Sequence, residues 1–126
     1  MTKPDLDTLD NIKLMVNSFY AKIRKDELLG PIFNERIGDR WPEHLEKMYR
    51  FWQTILLDEH TYYGSPFSPH ATMPVETEHF EHWVEIFNAN LDEHFEGEKK
   101  EEASWRAGKM AQMFNYKISY LRENKL

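Results

Sequence analysis

The stretch 64–74, GSPFSPHATMP, sets one imidazole, His70, among three prolines with no helical period. Prolines restrict the backbone and reduce the entropy lost in presenting a side chain. An imidazole on such an arm is either an ordinary loop residue or a metal ligand. His44 raises a second question. It begins a row, His44, Met48, Phe51 and Ile55, that steps by four, three and four and is otherwise apolar, and a polar group there needs a reason. Tyr20 and Trp83 sit on or beside apolar stripes, and each carries an O–H or N–H that wants a partner when buried. His79 and His82 are three apart, a spacing that can place two imidazoles on one metal. His82 falls opposite the apolar stripe of its helix and His79 to its side, which reads as a solvated pair. His94 reads as a half-buried histidine near a helix end, and His60 as a solvated one.

The elements that must position these groups are helices. A first helix is expected over about 8–24, capped by Asp7 or Thr8, with Ile12, Met15, Val16, Phe19 and Ile23 on one stripe. Residues 26–29 suit a short turn that Gly30-Pro31 stops, and Ile32, Phe33 and Ile37 lie in a connection that Gly38 ends. A second long helix starts near Pro42, with Asp39 as a possible cap, and runs to about Asp58. Residues 59–74 form a loop. A third helix is expected over about 75–95, with Phe80, Trp83, Val84, Phe87, Leu91 and His94 on one face and Gly97 placed for its C-terminal cap. A last helix covers about 98–122, with Ala103, Ala107, Met110, Phe114 and Leu121 as its stripe. The result is an all-α chain, read as a single domain over 1–126.

Composition narrows the partners. The chain of 126 residues has no cysteine, which removes disulfides, thiolate metal sites and covalent Cys-x-x-Cys-His haem attachment. A net charge of -6 with scattered Lys and Arg argues against nucleic acid. No apolar run is long enough to span a membrane, and MTKPDLDTLD lacks a signal-peptide core, so a cytoplasmic location is expected. Aromatics make up 14% of the chain, including four Trp and eight Phe. A well-packed core accounts for such a surplus, and so does a flat apolar ligand.

Four stretches taken in order carry a resemblance over about residues 10–120: FYAKIRKDELLGPIF (19–33), WPEHLEKMYRFW (41–52), YYGSPFSPHATMP (62–74) and FEHWVEIF (80–87). Together they resemble the group III truncated haemoglobins. The resemblance implies a truncated globin fold, a two-over-two sandwich of helices around a non-covalent b-type haem, heme b. It implies that His70 is the proximal iron ligand, offered by the proline-rich arm. Tyr20, His44 and Trp83 match the family's distal polar residues. Phe33 matches a phenylalanine that packs on the haem, Met48, Phe51 and Trp52 match positions lining the distal cavity or the haem edge, and Lys47 matches one that reaches a propionate.

The expected activity is reversible binding of O2, NO and CO at a five-coordinate haem. NO dioxygenation or peroxidase-like chemistry would be compatible with the same pocket, given an unidentified reductase. No residue is assigned as catalytic. The alternative from another class is a helical-bundle metalloprotein without haem, using His79, His82 and His94 with Glu98.

Overall fold

In a computed structural model the described residues are 3–62, 64 and 75–123. Among them the chain forms five helices and no strand: α1 (Leu9–Lys25), α2 (Gly30–Ile37), α3 (Trp41–Leu57), α4 (Thr77–His94) and α5 (Glu98–Glu123). Packing of α1 on α3 and of α4 on α5, with α1 also against α4, builds the two-over-two sandwich. Short α2 packs on α1.

The expected stripe of α1 is its buried face: Ile12, Met15, Val16, Phe19 and Ile23, joined by Tyr20. Thr8 caps it, its side chain accepting from Asn11 N–H at 3.2 Å. The 26–38 region departs from expectation. Gly30-Pro31 opens α2 rather than stopping a turn, because proline's missing N–H costs nothing in a first helical turn. Gly30 is required there by close approach: a Cβ would stand 2.9 Å from the Arg24 carbonyl oxygen. Gly38 ends α2 with φ of 61°, as expected. Asp39 does not cap α3, whose N-cap residue is Arg40 with no side-chain cap bond.

Two other expectations change. Leu121 is 46% exposed, and Ile118 takes its place in the buried stripe of α5 with Ala103, Ala107 and Phe114. Phe95, not Gly97, follows α4 as its C-cap. Gly97 instead makes room for a carboxylate from the N-terminal segment. A Cβ on Gly97 would stand 2.5 Å from Asp5 Cγ, and the Asp5 oxygens accept from Lys99 N–H at 3.0 Å and Lys100 N–H at 2.8 Å. These are orphan donors at the start of α5, so Asp5 caps that helix from a distance.

The core is aromatic at its centre. Phe19 stands edge-on to Trp83 and Phe87, at 5.3 and 5.1 Å between ring centroids. Phe87 is stacked between Trp83 (5.3 Å) and Trp52 (5.4 Å). Asn90, fully buried, ties α4 to α1: its amide donates to Met15 O (3.2 Å) and Ser18 Oγ (3.0 Å), and its oxygen accepts from Lys22 Nζ (2.6 Å). Burying this amide is tolerated because it is satisfied on both sides.

Candidate functional site

A cavity of about 400 Å³ opens between the two layers, within the range of small-molecule sites. Every described residue expected at a ligand site lines it: Tyr20 from α1, Phe33 from α2, His44, Lys47, Met48, Phe51 and Trp52 from α3, and Trp83 from α4. The expectation for His70 lies outside the described residues.

The helices bring these groups together by spacing. On α3, Lys47, Phe51 and His44, Met48 recur at helical intervals, so one face of that helix walls the cavity. Tyr20 stands against His44, with centroids 5.1 Å apart and planes at 86°, and against Phe33 at 6.2 Å. Burial pushes the Tyr20 phenol well above its ordinary value, so it is a neutral O–H donor at any physiological pH. Trp83 presents its indole from the opposite layer. Among the described residues, neither the Tyr20 hydroxyl nor the Trp83 indole N–H has a hydrogen-bond partner, although both line the cavity.

The walls are otherwise apolar, while the mouth is charged. Arg36, Arg40 and Lys47 gather there with Glu43. Arg40 is fixed by its guanidinium donating to Arg36 O at 2.8 Å and Ile37 O at 3.3 Å. Sequence reasoning found only Lys47. The two arginines fall at a helix end and beyond it, where no periodic signal marks them.

Tyr62 was also missed. The chain leaving α3 folds back on it: Thr54 Oγ1 accepts from Thr61 N–H at 3.1 Å and Tyr62 N–H at 3.0 Å. Buried Gln53 accepts from Thr61 Oγ1 at 3.0 Å and donates to Glu59 at 3.1 Å. These bonds seat the Tyr62 ring edge-on to Phe51 at 5.4 Å, on the cavity wall. Burial raises the pKa of its phenol.

The histidines of α4 divide. His79 and His82 do not form the solvated pair expected. His79 lines the cavity, with Nδ1 accepting from Glu76 N–H at 2.9 Å. His82 is half-buried and its Nε2 meets Asp26 Oδ1 at 2.7 Å. His94 is half-buried near Glu93, as expected. Among the described residues, no three His, Asp or Glu side chains converge to hold a metal ion.

Residues 7–117 match the bacterial-like globins. The chain belongs to that family. The group 3 truncated haemoglobin ctb of Campylobacter jejuni is 38% identical over 109 residues, covering 83% of this chain and 86% of that one. The crystal structure of the group III truncated haemoglobin from Campylobacter jejuni superposes with a TM-score of 0.86 at 35% identity, covering 93% of this chain and 95% of that one. The truncated-globin fold and the group III resemblance are thus borne out.

Membership makes this globin a haem-binding protein, and the cavity suits the group. Its walls are apolar and aromatic, as a flat porphyrin needs. Its cations cluster at the mouth, where carboxylate side chains of the macrocycle would reach water. The Tyr20 O–H and Trp83 N–H, which have no hydrogen-bond partner among the described residues, belong to its lining. Among the described residues the histidines of the rival metal-bundle reading, His79, His82 and His94, make three separate contacts and converge on no metal site.

Proposed function

We propose that this globin would hold a non-covalent b-type haem in the cavity, with His70 as its iron ligand, and reversibly bind O2, NO and CO beside Tyr20, His44 and Trp83. When bound, the haem would supply an iron able to take a diatomic ligand. The single observation that carries the reading is the pair of donors, Tyr20 and Trp83, facing one apolar cavity from two layers.

The chain's own groups do the following. The Tyr20 O–H and Trp83 N–H donate to negative charge that develops on a ligand, in a site dry enough for each bond to count. Phe33, Met48, Phe51 and Trp52 exclude water. Arg36, Arg40 and Lys47 meet the propionates. His44 acts as a gate beside Tyr20.

His79 is the other imidazole to weigh for the iron. Its Nδ1 accepts a backbone N–H, so in the neutral ring Nε2 carries the proton and has no lone pair to give a metal. That supports His70.

Ligand binding is the primary activity in this reading. NO dioxygenation and peroxide reduction are turnover reactions the same donors suit, each with a separate reductase. Among the described residues no helix is long and apolar enough to cross a membrane, and cytoplasmic action is proposed on that footing together with the chain's lack of cysteine.

Haemin titrated into the purified chain gives an intense Soret band, and His70→Ala removes the imidazole signature from its spectrum. Tyr20→Phe and Trp83→Phe each raise the O2 dissociation rate by about tenfold, the effect of one hydrogen bond to a charged acceptor. A chain that takes up no haemin, or a His70→Ala spectrum identical to the parent's, overturns the proposal.

A further inference from the structure

Trp41 is 6% exposed, yet it forms no part of the cavity wall. Its indole is edge-on to two residues that do. The Trp41 and His44 rings lie 5.7 Å apart at 89°, and Trp41 and Tyr20 5.7 Å apart at 62°. His44 and Tyr20 meet each other at 5.1 Å and 86°. The three rings therefore close a triangle in which each edge meets a face, the arrangement their quadrupoles favour.

The backbone makes Trp41 a fixed point. It is the first residue of α3, Pro42 follows it, and the Arg24 guanidinium covers its face at 4.6 Å from the ring centroid. Arg24 is itself held at the α1–α2 corner, where its carbonyl accepts from Asn34 Nδ2 at 3.2 Å. His44 stands three residues along the same helix. Helical side chains lean toward the N-terminus, so the His44 ring lies over the turn that Trp41 begins. To leave the cavity, the imidazole must turn past the indole.

We infer that Trp41, backed by Arg24, is the positioning residue that holds the His44 ring closed against Tyr20, and so sets how often a diatomic ligand can enter. This rests on the gate reading of His44. A ligand enters at a rate scaled by the open fraction, and one aromatic contact biases that fraction. Trp41 touches no ligand. It acts only through the two rings it packs.

The test is CO association after flash photolysis of the haem-loaded protein, in a double-mutant cycle. Trp41→Leu speeds association by about twofold to tenfold, the range one edge contact supplies. Trp41→Phe, which keeps an edge-on ring, stays close to the parent. In a His44→Ala background, Trp41→Leu adds nothing. A second readout is the His44 ring Cε1–H signal by NMR in the CO-saturated ferrous protein. Trp41→Leu moves and broadens that signal, while Trp41→Phe leaves it sharp. Equal rate effects of Trp41→Leu in both backgrounds, or an unmoved His44 signal, overturn the inference. A His44→Ala protein with parental CO association refutes the gate instead, and the NMR signal then still decides whether Trp41 holds the ring.

Discussion

Trp83 and His82 are consecutive residues of α4, yet they serve regions built on different physics. Trp83 joins the wall in which Phe87 is stacked between two tryptophans and Phe19 meets both Trp83 and Phe87 edge-on. His82 joins the α1–α2 corner, where one carboxylate organises the turn. Asp26 Oδ2 accepts from Leu28 N–H at 3.0 Å and Leu29 N–H at 2.9 Å, and its Oδ1 faces the imidazole. The wall is apolar and close-packed, so salt and pH leave it alone. The corner is partly wet and charged, so both act on it. Neither Asp26 nor His82 lines the cavity, but their corner carries α2, whose Phe33 and Ile37 do, so the apolar wall keeps its donors fixed while the support of α2 responds to solution conditions.

Two perturbations separate the regions, and a third, at a contact outside both, falls between them in size. The largest effect belongs to the wall. Phe87→Ala removes the ring at the centre of the stack and leaves a void that neighbours only partly fill. It lowers stability by about 3–5 kcal/mol, read as the midpoint and slope of urea unfolding, with the same loss at pH 5 and pH 9. A loss that changes with pH would mean that the wall depends on charge after all.

Next comes a contact that belongs to neither region. Asp5→Ala strips two N–H groups of α5 of their acceptor and costs about 1–2 kcal/mol in the same assay. Asp5→Asn keeps an acceptor oxygen and recovers part of the loss. An Asp5→Ala protein as stable as the parent would show that water serves those donors equally well.

How far the sequence carried follows the range of each contact. Periodicity is local, so the stripe of α1 and the row His44, Met48, Phe51 and Ile55 of α3 were legible from spacing alone, whereas the place of Lys47, Met48, Phe51 and Trp52 at a ligand site came from resemblance. Spacing also showed the odd position of His44 at the head of an apolar row. The roles of Tyr20 and Trp83 as a facing pair came from resemblance, because no spacing rule brings residues of two helices together. What could not be read depends on partners far away in the chain. The residues of the Asp5 cap are 94 and 95 positions apart, those of the Asp26–His82 contact 56, and those of the bond from buried Asn90 to Met15 75. Asp5, Asp26, His82 and Asn90 each look like surface residues on their own. Gly30-Pro31 misled for another reason: the same dipeptide can end one helix or open the next, and only the packing of α2 on α1 decides.

The smallest effect and the sharpest signature belong to the corner. The Asp26 hydrogen bond raises the His82 pKa above its ordinary 6.5, against burial, with the Asp26 and Glu85 charges adding to it. For Asp26, burial works upward but is outweighed by the hydrogen bonds from His82, Leu29 and Leu28 and by the imidazolium charge, so its pKa falls below 3.8. The signs then fix the window. The His82 contribution is complete below 6.5 and is lost as pH rises through its folded value. The Asp26 contribution is complete above 3.8 and is lost as pH falls through its folded value. Between 3.8 and 6.5 both are present. His82→Gln therefore costs most near pH 5, about 1 kcal/mol once partial exposure has screened the pair, and least at high pH. Urea midpoints of parent and variant at pH 5, 7 and 9 should converge as pH rises. Midpoints that stay equally far apart at pH 5 and pH 9 would show that the imidazole holds the corner by shape or neutral hydrogen bonding, and would remove the contrast with the wall.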